Sequence, residues 1–127
     1  MQIKRSQDIE YIVQQALKTG LTAYCRPLPK DFKTPSILVT LVGGTRLNEI
    51  DTFDLVLDSR AETDAEANEY LRNAIGVLEA VCNEQTTAIR HVVLNSIGAW
   101  GRDPVRPDLA MCSARIRVVA HIETANI

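Results

Sequence analysis

Three cysteines and two histidines are the side chains in this sequence best suited to nucleophilic or metal chemistry: Cys25, Cys82, Cys112, His91 and His121. Their spacing argues against both uses. No Cys-x-x-Cys pair and no closely spaced His pair occurs, whereas zinc needs three or four ligands brought together. An odd number of scattered cysteines also fits a reduced environment better than a disulfide framework. Cys112 and His121 fall nine residues apart on one predicted strand, an odd separation that places them on opposite faces. The expectation is no catalytic residue, no metal and no cofactor.

Asp54 and Asp58 share one face of a predicted strand. Such a pair could bind a divalent cation, but a solvated or interfacial sheet face is the better account of it. Gly43-Gly44-Thr45-Arg46 lacks the pattern of a phosphate loop and is followed by a strand rather than a helix N-terminus. Arg102, Arg106, Arg115 and Arg117 make the most basic stretch, but Asp103 and Asp108 interrupt it and Trp100 is its one aromatic. A nucleic-acid groove needs unopposed charge and stacking platforms.

The elements that must position these residues follow from periodicity. Ile9, Ile12, Val13, Ala16 and Leu17 make an apolar stripe at helical spacing, with Ser6 placed to cap it and Gly20 to end it. A short strand over 22–26 leads into a proline-rich loop, 27–35, which can be neither helix nor central strand. A hydrophobic strand, 36–42, and a strand of period two, 53–58, flank a polar tip at 43–51, which reads as an antiparallel hairpin with a protruding end. Thr63-Asp64-Ala65-Glu66 fits a capping box for a second helix, whose stripe runs from Ala67 to Cys82. Gly76 within it implies close packing against the sheet. Strands over 91–97 and 110–121 flank a loop at 98–108. The predicted order is α-β-β-β-α-β-β. The predicted class is α+β: a two-layer α/β sandwich with a mainly antiparallel sheet and both helices on one face.

The chain has 127 residues, 46% hydrophobic and 24% charged, with a formal charge of −2. That is the size and composition of one globular domain, 1–127, with no linker or repeat. No apolar run is long enough for a membrane-spanning helix or reads as a secretory signal. The slightly acidic balance argues against binding driven by phosphate neutralisation. The two loops are left over from the fold, and loops of that length commonly bind something. Trp100 either folds back on its own domain or serves an interface, where Trp and Arg are enriched.

The ordered set of segments resembles the tail terminator proteins of long-tailed bacteriophages. The amphipathic first helix is followed by Thr22-Ala23-Tyr24-Cys25-Arg26 and a proline-containing segment. The strand Ile37 to Val42 leads to Gly43-Gly44 and a tip bearing Arg46-Leu47-Asn48. Phe53 to Leu57 then runs into 59–67 and a long helix. A Pro/Asp-rich loop, Gly101 to Asp108, precedes the last strand, Met111 to Ala120. The likeness spans about residues 8 to 121. It departs from the family at Trp100, where a Tyr- or Phe-containing stretch is more usual.

The resemblance implies a structural protein and not an enzyme. It implies a homohexameric ring that caps the tail tube, stops its polymerisation and offers its other face to a head-side connector or head-completion protein. DNA would pass through the lumen without specific binding. The implied location is the head-proximal end of the virion tail, with assembly in the host cytoplasm and no membrane contact. Candidate interface residues are Arg46, Asn48 and Glu49 on the tip, and Trp100, Arg102 and Arg106 on the second loop. Two other classes stay open: another virion joining or tail-tube subunit, and a small ligand-binding α+β domain.

Overall fold

The chain folds as β1 (Gln2–Arg5), α1 (Ile9–Leu17), β2 (Ala23–Cys25), β3 (Ser36–Leu47), β4 (Ile50–Ala61), α2 (Asp64–Val81), β5 (Ile89–Arg102), β6 (Ala110–His121) and β7 (Glu123–Asn126). This computed structural model describes residues 1–84 and 88–127. It is an α+β protein with two helices and a mixed, mainly antiparallel five-stranded sheet in the order β2-β3-β4-β6-β5. β2 is the one parallel neighbour, beside β3. The remaining ladders, β3–β4, β4–β6 and β5–β6, are antiparallel.

The sheet is organised around β4. Phe53, Leu55, Leu57, Ser59 and Ala61 are buried, while the intervening Asp54, Val56, Asp58 and Arg60 are half-buried. Period-two alternation therefore sends one face of β4 into the core. The same core joins Ile37 and Val39 of β3 and Cys112, Ala114, Ile116 and Val118 of β6. The helices supply Ile9, Val13 and Leu17 from α1, and Ala67, Leu71, Ala74 and Leu78 from α2. α2 packs on β4 and β6, and α1 packs on α2, β2 and β3. Thr63 caps α2 by accepting a hydrogen bond from Glu66 N at 3.2 Å. Deeper in, Ser59 Oγ donates to Ala67 O at 2.8 Å, pinning the first turns of α2 to β4.

Several local expectations are corrected. Asp8, not Ser6, is the residue before α1, with no side-chain cap, because Ser6 Oγ accepts instead from Arg46 Nη2 at 2.6 Å. α1 ends through tightened backbone bonds, Thr19 N to Ala16 O and Gly20 N to Leu17 O, without Gly20 entering the left-handed region. Gly76 is exposed and no atom crowds the place of a Cβ, so no close packing requires it. The hairpin tip does not protrude as a loop. The β3–β4 ladder continues to Leu47 opposite Ile50 and closes through Asn48 and Glu49, both with positive φ (52° and 65°). A two-residue turn of that kind matches the twist of the strands it joins. Gly44 permits the close approach, since a Cβ there would lie 2.8 Å from Thr52 O.

Two further strands lie outside the predicted order. β1 and β7 form their own antiparallel ribbon, with Met1 and Ile127 exchanging backbone bonds of 2.9 Å. Among the described residues no helix is long and apolar enough to cross a membrane.

Candidate functional site

The six candidate residues fall into two groups at opposite ends of the sheet. Ile50 pairs with His121 at one end of the β4–β6 ladder, and Ala61 pairs with Ala110 at the other. Arg46, Asn48 and Glu49 sit at the first end, while Trp100 and Arg102, opposite Cys112 and Ala110, sit toward the second. Twelve strand residues separate the ends, a span of roughly 40 Å at the rise of an antiparallel strand. The structure therefore does not bring the tip and the second group together.

At the tip, Arg46 is engaged within its own subunit. Its Nε donates to Asp51 Oδ1 at 2.6 Å and its Nη2 to Asp51 Oδ2 at 3.1 Å, a two-pronged pair. The guanidinium holds the buried Asp51 carboxyl below the usual carboxylate range. Glu49 accepts from Lys4 Nζ at 2.6 Å, which likewise lowers its carboxyl. Asn48 takes the first turn position and is exposed.

Trp100 and Arg102 are strand residues, not loop residues. β5 continues to Arg102 because its bulges, at 89/91, 94/96 and 97/99, let it follow β6 over fourteen residues. The loop proper is 103–109. It is tied at its base by Asp103 N to Leu109 O (3.1 Å) and internally by Leu109 N to Arg106 O (2.9 Å). Asp103, which in the sequence interrupts the basic stretch, is buried. It accepts from Arg60 Nε at 3.0 Å and from Val105 N at 3.1 Å. Arg106 pairs with Asp108 at 3.0 Å and lies 5.6 Å from the centroid of Phe32, a cation–π contact with the proline-rich connector. Arg102 is exposed and has no ion pair among the described residues.

The bulges also produce a surface that simple alternation conceals. Leu94, Ile97 and Trp100 stand opposite Ile116, Ala114 and Cys112. Directly opposed residues in a ladder share a face, so all three lie on the core side of the sheet. Their β6 partners are at most 2% exposed, yet Leu94, Ile97 and Trp100 are 39%, 55% and 51% exposed. A spacing of three residues on one face is possible only because each interval contains a bulge; Gly98, at φ +116°, provides one of them. The result is an apolar stripe continuous with the core on β5, which has a strand neighbour on one side only among the described residues.

No protein-family model matches the chain, and no curated protein matches it.

The residues considered for other chemistry are accounted for. Asp54 accepts from Arg117 Nε at 3.1 Å, and Asp58 accepts from Ser113 Oγ. The two carboxylates thus serve separate cross-strand contacts. No group of three or more His, Cys, Asp or Glu is arranged to hold a metal among the described residues. Cys112 is fully buried while His121 is exposed. Burial pushes the Cys25 and Cys112 thiols up, the opposite of what a thiolate nucleophile requires. Arg60, Asp103, Leu94 and Ile97 are the residues that sequence reasoning missed. Leu94 and Ile97 carried a signal, an apolar run with Gly98 behind it; the Arg60–Asp103 pairing spans 43 positions and had none.

Proposed function

We propose that this protein is a structural subunit that closes into a head-to-tail ring, most simply of six copies, and caps the tail tube of a long-tailed bacteriophage. In this reading the ring ends tube polymerisation and presents its opposite side to a head-side connector. The subunit is a two-layer sandwich in which both helices cover one sheet face. The mechanism is differential binding: a surface complementary to the tube end is present and a surface for the next tube subunit is absent.

The observation that carries the reading is the Leu94–Ile97–Trp100 stripe on edge strand β5. Exposed edges are open to pairing with another chain, and proteins that stay monomeric usually blunt them with charge, proline, bulges or cover; β5 carries three bulges, which interrupt its edge but leave the apolar stripe uncovered. Here the edge is long, and the stripe beside it offers adjoining apolar area for burial. An aromatic anchor in a desolvated patch is the usual energetic centre of an interface. A contact between β5 and a different surface of the next copy is heterologous, and such contacts close into rings when the rotation permits. The order of segments described above supplies the link to tail termination. The net charge of −2 suits a lumen that must let DNA slide.

The test is tube growth. Polymerising tail-tube subunits are mixed with this protein and imaged by electron microscopy. Capped tubes of limited length, with the protein at one end, are the expected result. Tubes of unchanged length, with no protein at either end, would overturn the reading.

A further inference from the structure

A second feature lies at the opposite end of the sheet from the hairpin tip, where the proline-rich connector meets the 103–109 loop. Leu28, Pro29, Phe32, Leu38 and Val105 wall a cleft of about 380 Å³ there, with Lys30, Arg60, Asp103 and Arg106 as its charged lining. That volume falls within the range of small-molecule sites, roughly 300–1,000 Å³, and an apolar wall with a few convergent polar groups is their usual composition. A cavity near the tip is larger, about 560 Å³, but its charged side chains, Arg46 and Asp51, already pair with each other. The cleft differs in this respect.

Arg60 is its key group. The side chain is only 11% exposed, and its one ion pair engages Nε with Asp103. Nη1 is buried and has no hydrogen-bond partner among the described residues. Buried donors are almost always satisfied, and one that is not calls for an explanation. The cleft also holds three cations against one carboxylate. Asp103 is committed to Arg60 and to Val105 N, Arg106 is paired outward with Asp108, and Lys30 has no ion pair among the described residues. An acceptor carrying negative charge would therefore complete this site, and an apolar body behind it would fill the walls.

We propose that the cleft binds a compact apolar monocarboxylate, with the carboxylate held by Arg60 and Lys30 and the apolar group packed among Leu28, Phe32 and Val105. This binding is independent of ring formation, because the cleft is built within one subunit and lies apart from the Leu94–Ile97–Trp100 stripe.

The experiment is a titration of the free subunit followed by NMR amide chemical shifts. Three probes are used: phenylacetate, its uncharged counterpart phenylacetamide, and acetate, which has the charge without the apolar body. Phenylacetate should produce saturable shifts confined to 28–32, 60 and 103–106. Phenylacetamide and acetate should bind at least about tenfold more weakly, the loss expected for a charge-assisted hydrogen bond or for the apolar contact. Val105 is 87% exposed, so Val105→Asp should leave the fold intact while weakening phenylacetate about tenfold by repulsion. Arg60→Gln should abolish the preference for acid over amide, and Val105→Asp carries the test where Arg60→Gln fails to fold. Equal affinity for acid and amide, no saturable shift, or unchanged binding in Val105→Asp would overturn the proposal. None of these results bears on assembly, which is measured without the probes.

Discussion

At the scale of single residues, two ion pairs matter more than the charges that stand out in the sequence. Arg60 and Asp103 are 11% and 4% exposed, so each would be costly without the other. Removing one partner of a buried pair leaves an uncompensated charge, which costs about 3–5 kcal/mol. Asp103→Ala is therefore expected to lower the unfolding free energy by about that amount, read from urea denaturation, and to release the 103–109 loop from β4. The second pair, Arg46 with Asp51, makes a prediction in pH. The Asp51 carboxyl is held low mainly by its hydrogen bonds to Arg46. A depressed carboxylate contributes stability in full above its unfolded pKa of about 3.9 and loses it as pH falls toward the folded value. Arg46→Met should thus be less stable than wild type at neutral pH. The gap should narrow as the pH is lowered through about 4 and below, in thermal melts across that range. A gap that stays constant to acid pH would assign the effect to packing instead.

At the scale of elements, the parts legible in the sequence are those with one uninterrupted period. α1 and α2 carry helical stripes, β4 and β6 alternate cleanly, and all four were readable within a few residues of their ends. β5 was readable only as far as Ile97, five residues short of its end at Arg102, and the reason is physical. Its three bulges break the two-residue period, so the sequence shows a strand that ends at Ile97 and puts Trp100 in a loop, and alternation does not place Leu94, Ile97 and Trp100 on one face. β1 and β7 are four residues each and pair across almost the whole chain, so nothing local announces them. Of the candidate residues, Trp100 and Arg102 were expected on a loop, whereas they lie on β5. The bulge at Gly98 is where β5 can be tested. Its φ of +116° is one that residues with a Cβ rarely adopt, although open space surrounds it. Gly98→Ala should cost about 1–3 kcal/mol from backbone strain alone, measured by chemical denaturation. An unchanged midpoint would mean that β5 shifts register freely, and the stripe would then not be a fixed surface.

At the scale of the whole molecule, one end of the subunit carries a tight hairpin tip whose charges are internally paired, and the other carries the cleft and the 103–109 loop. Between them runs β5, an edge strand of the sheet among the described residues, with the apolar stripe beside it. In the proposed assembly, this side meets a different surface of the next copy, a heterologous contact of the kind that closes into a ring when the rotation permits. Arg102 and Arg106 rank lower in this account, since Arg106 is already spent on Asp108 and Phe32. Arg102→Ala with Arg106→Ala should leave the unfolding midpoint nearly unchanged. The central claim is that copies join through β5 into a closed ring. Native mass spectrometry of the wild-type protein beside Ile97→Lys, with circular dichroism to show that both are folded, tests it most directly. The expected result is a closed oligomer of six times the 14.1 kDa subunit mass for the wild type, formed alone or on addition of tube protein, and a folded monomer for Ile97→Lys. A wild-type protein that stays monomeric in both conditions, or a ring that survives a lysine in the centre of the stripe, would contradict it.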